Sequence, residues 1–211
     1  MRKLIFIVGL ITMAASVCTG SVSIKFLAFQ SGGWQEGYPY SATVDGSFTK
    51  VMCDDYLHGG VPGDPPWQAN VTNLGTGDLS LLRFNQMNDA LTLYHEAGWL
   101  LLQTQVTPQF VLQGNELVNE WQDINYAVWS IFDPNDPNLM LSPNAQNWLY
   151  KAQHADFSHT NFYNVEIYTP IDQYDSNMDH PQELPTIVPE PGTLSLLGAG
   201  VIGLLGFKRN R

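Results

Sequence analysis

Cysteine, basic residues and long apolar runs are all scarce in this chain, and each shortage closes off a class of protein. Its 211 residues include two cysteines, Cys18 and Cys53. Cys18 lies in an N-terminal stretch that reads as removable, so the mature chain has no partner for an intramolecular disulfide. Neither apolar stretch, 4–13 nor 193–207, reaches the roughly 20 residues of an ordinary spanning helix. Between residues 20 and 189 only Lys25, Lys50, Arg83 and Lys151 are basic, against nineteen acids, a net charge of −15. Such a surface repels phosphate backbones and excludes nucleic acid as a partner. It suits solubility outside the cytoplasm; diffuse binding of divalent cations is the sharper reading of the same charge.

The ends carry targeting features. Met1-Arg2-Lys3 is a positive n-region, 4–13 is an apolar h-region, and Ala14, Ala15, Ser16, Thr19, Gly20 and Ser21 supply small residues for cleavage. A lipoprotein site at Cys18 wants Gly or Ala before the cysteine, where Val17 stands. At the other end Pro189-Glu190-Pro191 precedes fifteen uncharged residues, 193–207, and the cluster Lys208-Arg209-Asn210-Arg211. As a helix those fifteen residues rise about 22 Å, short of the roughly 30 Å hydrocarbon core. They make a marginal anchor with a cytoplasmic basic end, which leaves the domain outside the cytoplasm. This three-part tail resembles the PEP-CTERM sorting signal of Gram-negative bacteria, in Pro189, Glu190 and Pro191, the glycine-rich apolar helix and the basic end. The resemblance implies recognition and cutting by an exosortase at the inner membrane, and a bacterium that makes exopolysaccharide. The same tail is sometimes labelled an ice-binding protein C-terminal domain, which implies no ice binding.

What lies between is rich in aromatics, with 6 Trp, 9 Tyr and 10 Phe, and has the apolar content of a globular domain. Alternation predicts a strand over 21–29 and a hairpin over 38–57 turning at Asp45-Gly46. The proline- and glycine-rich stretch 58–67 reads as a loop. Helical spacing of Phe84, Met87, Leu91, Tyr94 and Leu101 predicts a long helix capped by Asp78. A second helix is expected over 116–132, ended by Asp133-Pro134. A third begins at Ser142-Pro143, with Ala145, Trp148, Leu149 and Ala152 on its inner stripe. A final strand is expected over 162–169, then a polar linker over 173–188. The expected organisation is a signal peptide over 1–20, an exported α+β domain over 21–172, the linker, and the sorting tail over 189–211 with its membrane helix at 193–207. The domain itself reads as strands, a helical insert of about three helices and a closing strand.

Most familiar chemistry is missing. His154 and His159 are five residues apart, wrong for one helical face, and the histidines read as solvated surface. Residues 133–138 offer oxygen ligands but lack the glycine and final glutamate of an EF-hand. There is no nucleophile elbow, P-loop or dinucleotide fingerprint. No metal or cofactor is expected, and the aromatics read as core packing.

One pair of segments stands out. Val51-Met52-Cys53-Asp54-Asp55-Tyr56 closes the hairpin, and Ile124-Asn125-Tyr126-Ala127-Val128-Trp129 lies on the second helix. Together they resemble the thioester domains of bacterial surface adhesins, which pair an apolar residue and Cys with an apolar–Gln–x–x–apolar–Trp motif. In that family the cysteine sulfur attacks the glutamine carboxamide carbon, ammonia leaves, and the internal thioester captures an amine on a target. Met52-Cys53 and Ile124, Ala127, Val128 and Trp129 match. Asn125 stands where Gln is expected, one methylene short, and Gln122 lies one turn earlier on the same flank. Cys53 and Asn125 are therefore the candidate pair, expected to lie side by side unlinked, with Asp54 and Asp55 raising the thiol pKa by their charge. A lone cysteine is otherwise read as a buried apolar residue, a reactive thiol or an intermolecular bond.

These features predict a non-enzymatic binding or structural module, exported, sorted by exosortase and held transiently at the inner membrane. It ends at the cell surface or in the extracellular matrix, and a polysaccharide or another surface ligand stays open as partner. Two alternatives stand beside it: a covalent adhesin using Cys53, and an enzyme acting on extracellular polysaccharide.

Overall fold

The computed structural model describes residues 21–29, 39–56, 63–171 and 181–188. The signal peptide, the sorting tail and the first part of the linker lie outside these residues, as does His58. Eight strands and three helices follow in chain order: β1 Ser21–Phe29, β2 Tyr40–Val44, β3 Ser47–Val51, β4 Trp67–Asn73, α1 Ala90–Gln103, β5 Phe110–Gln113, β6 Glu116–Asn119, α2 Glu120–Phe132, α3 Pro143–Gln153, β7 Val165–Pro170 and β8 Leu184–Ile187. The class is mixed α+β, with the three helices between two groups of strands.

Six strands form one antiparallel sheet in the order β3-β2-β1-β4-β7-β8. Its first hairpin turns at Asp45 and Gly46, both left-handed at φ 48° and 80°, which matches the twist of a two-residue turn. Asp45 also ties the tip to β1: its backbone N–H reaches Ser23 O at 2.9 Å, and its Oδ1 accepts from Ser23 N at 2.8 Å. The two edges of the sheet meet. Met52 N donates to Pro185 O at 2.8 Å, Asp54 N reaches Glu183 O at 3.5 Å, and Thr186 Oγ1 donates to Lys50 O at 2.7 Å. Along this seam the sheet closes into a small barrel, which removes both exposed edges.

That closure corrects the expected linker. Residues 184–187 are a barrel strand, and Val188 N still donates to Asn164 O at 2.8 Å. Pro185 is tolerated because its carbonyl, the group it retains, makes the bond to Met52. The expected strand over 162–169 begins later, at Val165, and is not the last.

The helices differ from expectation at their starts. Asp78 caps no helix; 78–89 is a run of tight turns, bonded Leu82 N to Leu79 O, Asn85 N to Leu82 O and Met87 N to Phe84 O. α1 begins after Asp89, itself left-handed at φ 57°. Residues 116–119, expected to be helical, pair instead with 110–113 as a separate hairpin. α2 starts where the Asn119 side chain accepts from Gln122 N. α3 starts as expected, with Ser142 capping Ala145 N at 3.0 Å and Pro143 in the first turn.

Two cores result. Met52, Leu74, Tyr94, Leu100, Leu101, Ile124, Val128, Phe132, Trp148 and Ile167 belong to the helical one. Ile24, Phe26, Tyr40, Val51, Cys53, Ala69, Trp129, Tyr168 and Leu184 belong to the barrel. α2 serves both, since its buried Trp129 packs into the barrel core while Ile124, Val128 and Phe132 pack into the helical one.

Candidate functional site

Cys53 follows β3 by two residues and is not itself in a strand. Met52 and Cys53 point into opposite cores, as extended backbone demands. Asn125 projects from the second turn of α2. Both side chains are fully buried, at 0% exposure, and the fold brings them together: Asn125 Nδ2 donates to the Cys53 carbonyl oxygen at 2.7 Å. The Cys53 thiol donates to Asp55 O at 3.0 Å. Gln122 is half-buried in the first turn of α2, its backbone N–H held by Asn119 Oδ1 at 3.3 Å. Trp129 covers the site, its ring 5.1 Å from Tyr56 and 5.0 Å from Tyr126.

The thiol is poorly disposed to ionise. Burial pushes its pKa well up, and Asp54 adds to this; Trp129 and Arg83 pull weakly the other way. The sequence pointed to the charges of Asp54 and Asp55 as the cause, whereas burial acts first. Asp55 is occupied elsewhere, in an ion pair with the Arg83 guanidinium.

No local motif marks what surrounds the cysteine. Glu183, 0% exposed, sits at the seam and accepts from Tyr94 Oη at 2.6 Å, from Arg83 N at 2.9 Å and from Thr169 Oγ1. Arg83 Nη2 also donates to Pro181 O at 2.8 Å. These groups come from α1, β7, the turns before α1 and the segment before β8, a scatter that no local motif records.

Among the described histidines His154 and His159 are exposed as expected, whereas His95 is half-buried, stacked on Phe162 at 4.2 Å. Among the described residues no cluster of His, Cys, Asp or Glu is arranged to hold a metal ion. An open groove of about 920 Å³ runs beside the end of β8, lined in part by Phe48, Lys50, Gln105, Trp121 and Val188.

Comparison with known proteins decides how the chain is handled by the cell. Residues 188–210 match the family described as the PEP-CTERM protein-sorting motif. The chain carries a PEP-CTERM sorting signal. It is thus an exported protein, processed by exosortase at the membrane and anchored through its C-terminus during sorting. Among the described residues no helix is long and apolar enough to cross a membrane; the sorting signal's own apolar segment lies outside them. No curated protein matches the chain. Among solved structures it is similar to the N-terminal thioester domain of a surface protein from Clostridium perfringens, at 12% identity and a TM-score of 0.44, over 79% of this chain and 98% of that one.

Proposed function

We propose that the protein is a non-enzymatic surface or matrix module, of the binding or structural kind, with a thioester-domain-like site in which Cys53 remains a free thiol. One observation carries this reading. The Asn125 amide and the Cys53 thiol are in one buried site, yet each already has a backbone hydrogen bond, at 2.7 and 3.0 Å. A thioester needs the carboxamide carbon in line with the sulfur, and close packing leaves little slack to recover a missing methylene. The raised thiol pKa lowers the supply of thiolate as well. What remains is a rigid polar contact that pins α2 to the barrel. Trp121 and Phe48, beside the open groove, offer aromatic surface to a polysaccharide or another surface ligand.

The intact mass of the protein recovered from cells with an exosortase tests both halves of the proposal. The expected species ends near Pro189-Glu190-Pro191 and shows no loss of ammonia. Recovery with Lys208 to Arg211 still attached overturns the sorting half. Loss of one ammonia, reversed by methylamine and abolished by Cys53→Ala, would replace the free-thiol reading with that of a covalent adhesin. Asn125→Gln is the converse probe, since it restores the missing methylene.

A further inference from the structure

The seam between β3 and β8 buries two carboxyl groups side by side. Glu183 meets three donors, Tyr94 Oη, Arg83 N and Thr169 Oγ1. Asp54 is only 1% exposed, and neither of its oxygens meets a donor from another residue. Its backbone N–H reaches Glu183 O at 3.5 Å, and the two carboxyls interact, acceptor against acceptor unless a proton lies between them. Arg83 is the cation of this seam, and its guanidinium is committed to Asp55 and to Pro181 O.

We propose that Asp54 and Glu183 share one proton across this seam, with Asp54 as the donor, and that the shared proton governs how firmly β8 closes the barrel. Three donors aimed at Glu183 and none at Asp54 decide which carboxyl keeps it. A second buried negative charge beside Arg83, already engaged with Asp55 and Pro181 O, is costly, and the simplest relief is to lift out β8 together with Glu183, the residue just before it. Among the described residues, the titratable or charged groups facing the pair are Cys53 and Asp55 from the segment after β3, Arg83 from the turns and Tyr94 from α1. Burial, then Glu183, push the Asp54 pKa well up, and burial and Glu183 likewise keep Tyr94 neutral. The direction of the pH effect follows. Folded Asp54 retains a proton that the unfolded chain releases above about pH 4. Stability therefore declines as pH rises, until the folded carboxyl ionises too. The sorting signal begins where β8 ends, so β8 runs directly into the segment that is processed.

Hydrogen exchange on the full-length chain in detergent tests this, at pH 6 and pH 9, with intrinsic rates divided out. Protection of the Leu184, Thr186 and Ile187 amides should fall about tenfold or more in the wild type. In Asp54→Asn, which keeps a donor toward Glu183 but does not titrate, the fall should be less than about threefold. Equal losses in the two proteins overturn the proposal. Infrared spectroscopy of the folded wild type at pH 7 supplies a readout that needs no variant. A protonated carboxylic acid band that vanishes on unfolding is expected, and its absence overturns the shared proton. Neither result bears on whether Cys53 forms a thioester.

Discussion

Met52 and Cys53 are neighbours in sequence but belong to different halves of the molecule, and the halves are built differently. The helical half is assembled from one continuous stretch of chain, with α1, the β5–β6 hairpin, α2 and α3 following one another. The barrel is assembled from both ends of the domain, with β1 to β4 from the start and β7 and β8 from the finish. Its closure depends on pairs such as Lys50 with Thr186 and Met52 with Pro185, more than 130 residues apart. The candidate site lies where the halves meet, with Cys53 and its carbonyl on the barrel side and Asn125 on α2. A contact between two independently organised cores is a natural place for a rigid polar joint.

Trp129 is the side chain that crosses from one half into the other, so removing it should have the largest effect. Trp129→Ala is expected to cost about 3–5 kcal/mol in denaturant unfolding, because a large buried ring leaves a cavity between the cores. A loss confined to one half, seen as two unfolding transitions where the wild type has one, would show that the joint rather than either core was broken. The next comparison uses the adjacent pair. Met52→Ala empties a site in the helical core and should cost about 2–5 kcal/mol. Cys53→Ala removes one small group from the barrel core and should cost about 1 kcal/mol. Equal penalties would mean that the cysteine carries more than packing. An effect as small as that of Cys53→Ala is expected at Ser142, which caps α3 and also donates to Asp123 Oδ1 at 2.5 Å, joining α3 to α2. Ser142→Ala should cost about 1 kcal/mol by the same unfolding measurement.

Local signals were legible where local chemistry decides the structure. Asp45-Gly46 marked its hairpin and Ser142-Pro143 its helix start. The motif segments 52–53 and 124–129 likewise singled out the two residues that meet in the buried joint. The misreadings share a cause. The stretch 78–89 mimics helical spacing because successive three-residue turns also bring Phe84 and Met87 to one side, where both pack on the helical core. Residues 116–119 were absorbed into the helix that follows them, although Gly114-Asn115 between two apolar pairs was a usable turn signal. β8 is four residues long, contains a proline and follows a polar stretch, so nothing local marks it as a strand. Its partners, β7 and the segment after β3, define it. Glu183 shared that obscurity, being one acid among nineteen until the fold set it against Asp54.

The strand least visible in the sequence is also the one from which the sorting tail departs. While the tail holds the protein at the membrane, any pull on the domain is delivered to β8 before any other strand. The bond first in line is Val188 N–H to Asn164 O, followed by the β7 pairing from Ile187 with Val165 inward. Tension along the strand loads those bonds together in shear, whereas tension across it peels them one at a time. The orientation of the domain over the membrane thus sets its mechanical strength, and the barrel's closing strand is its fuse.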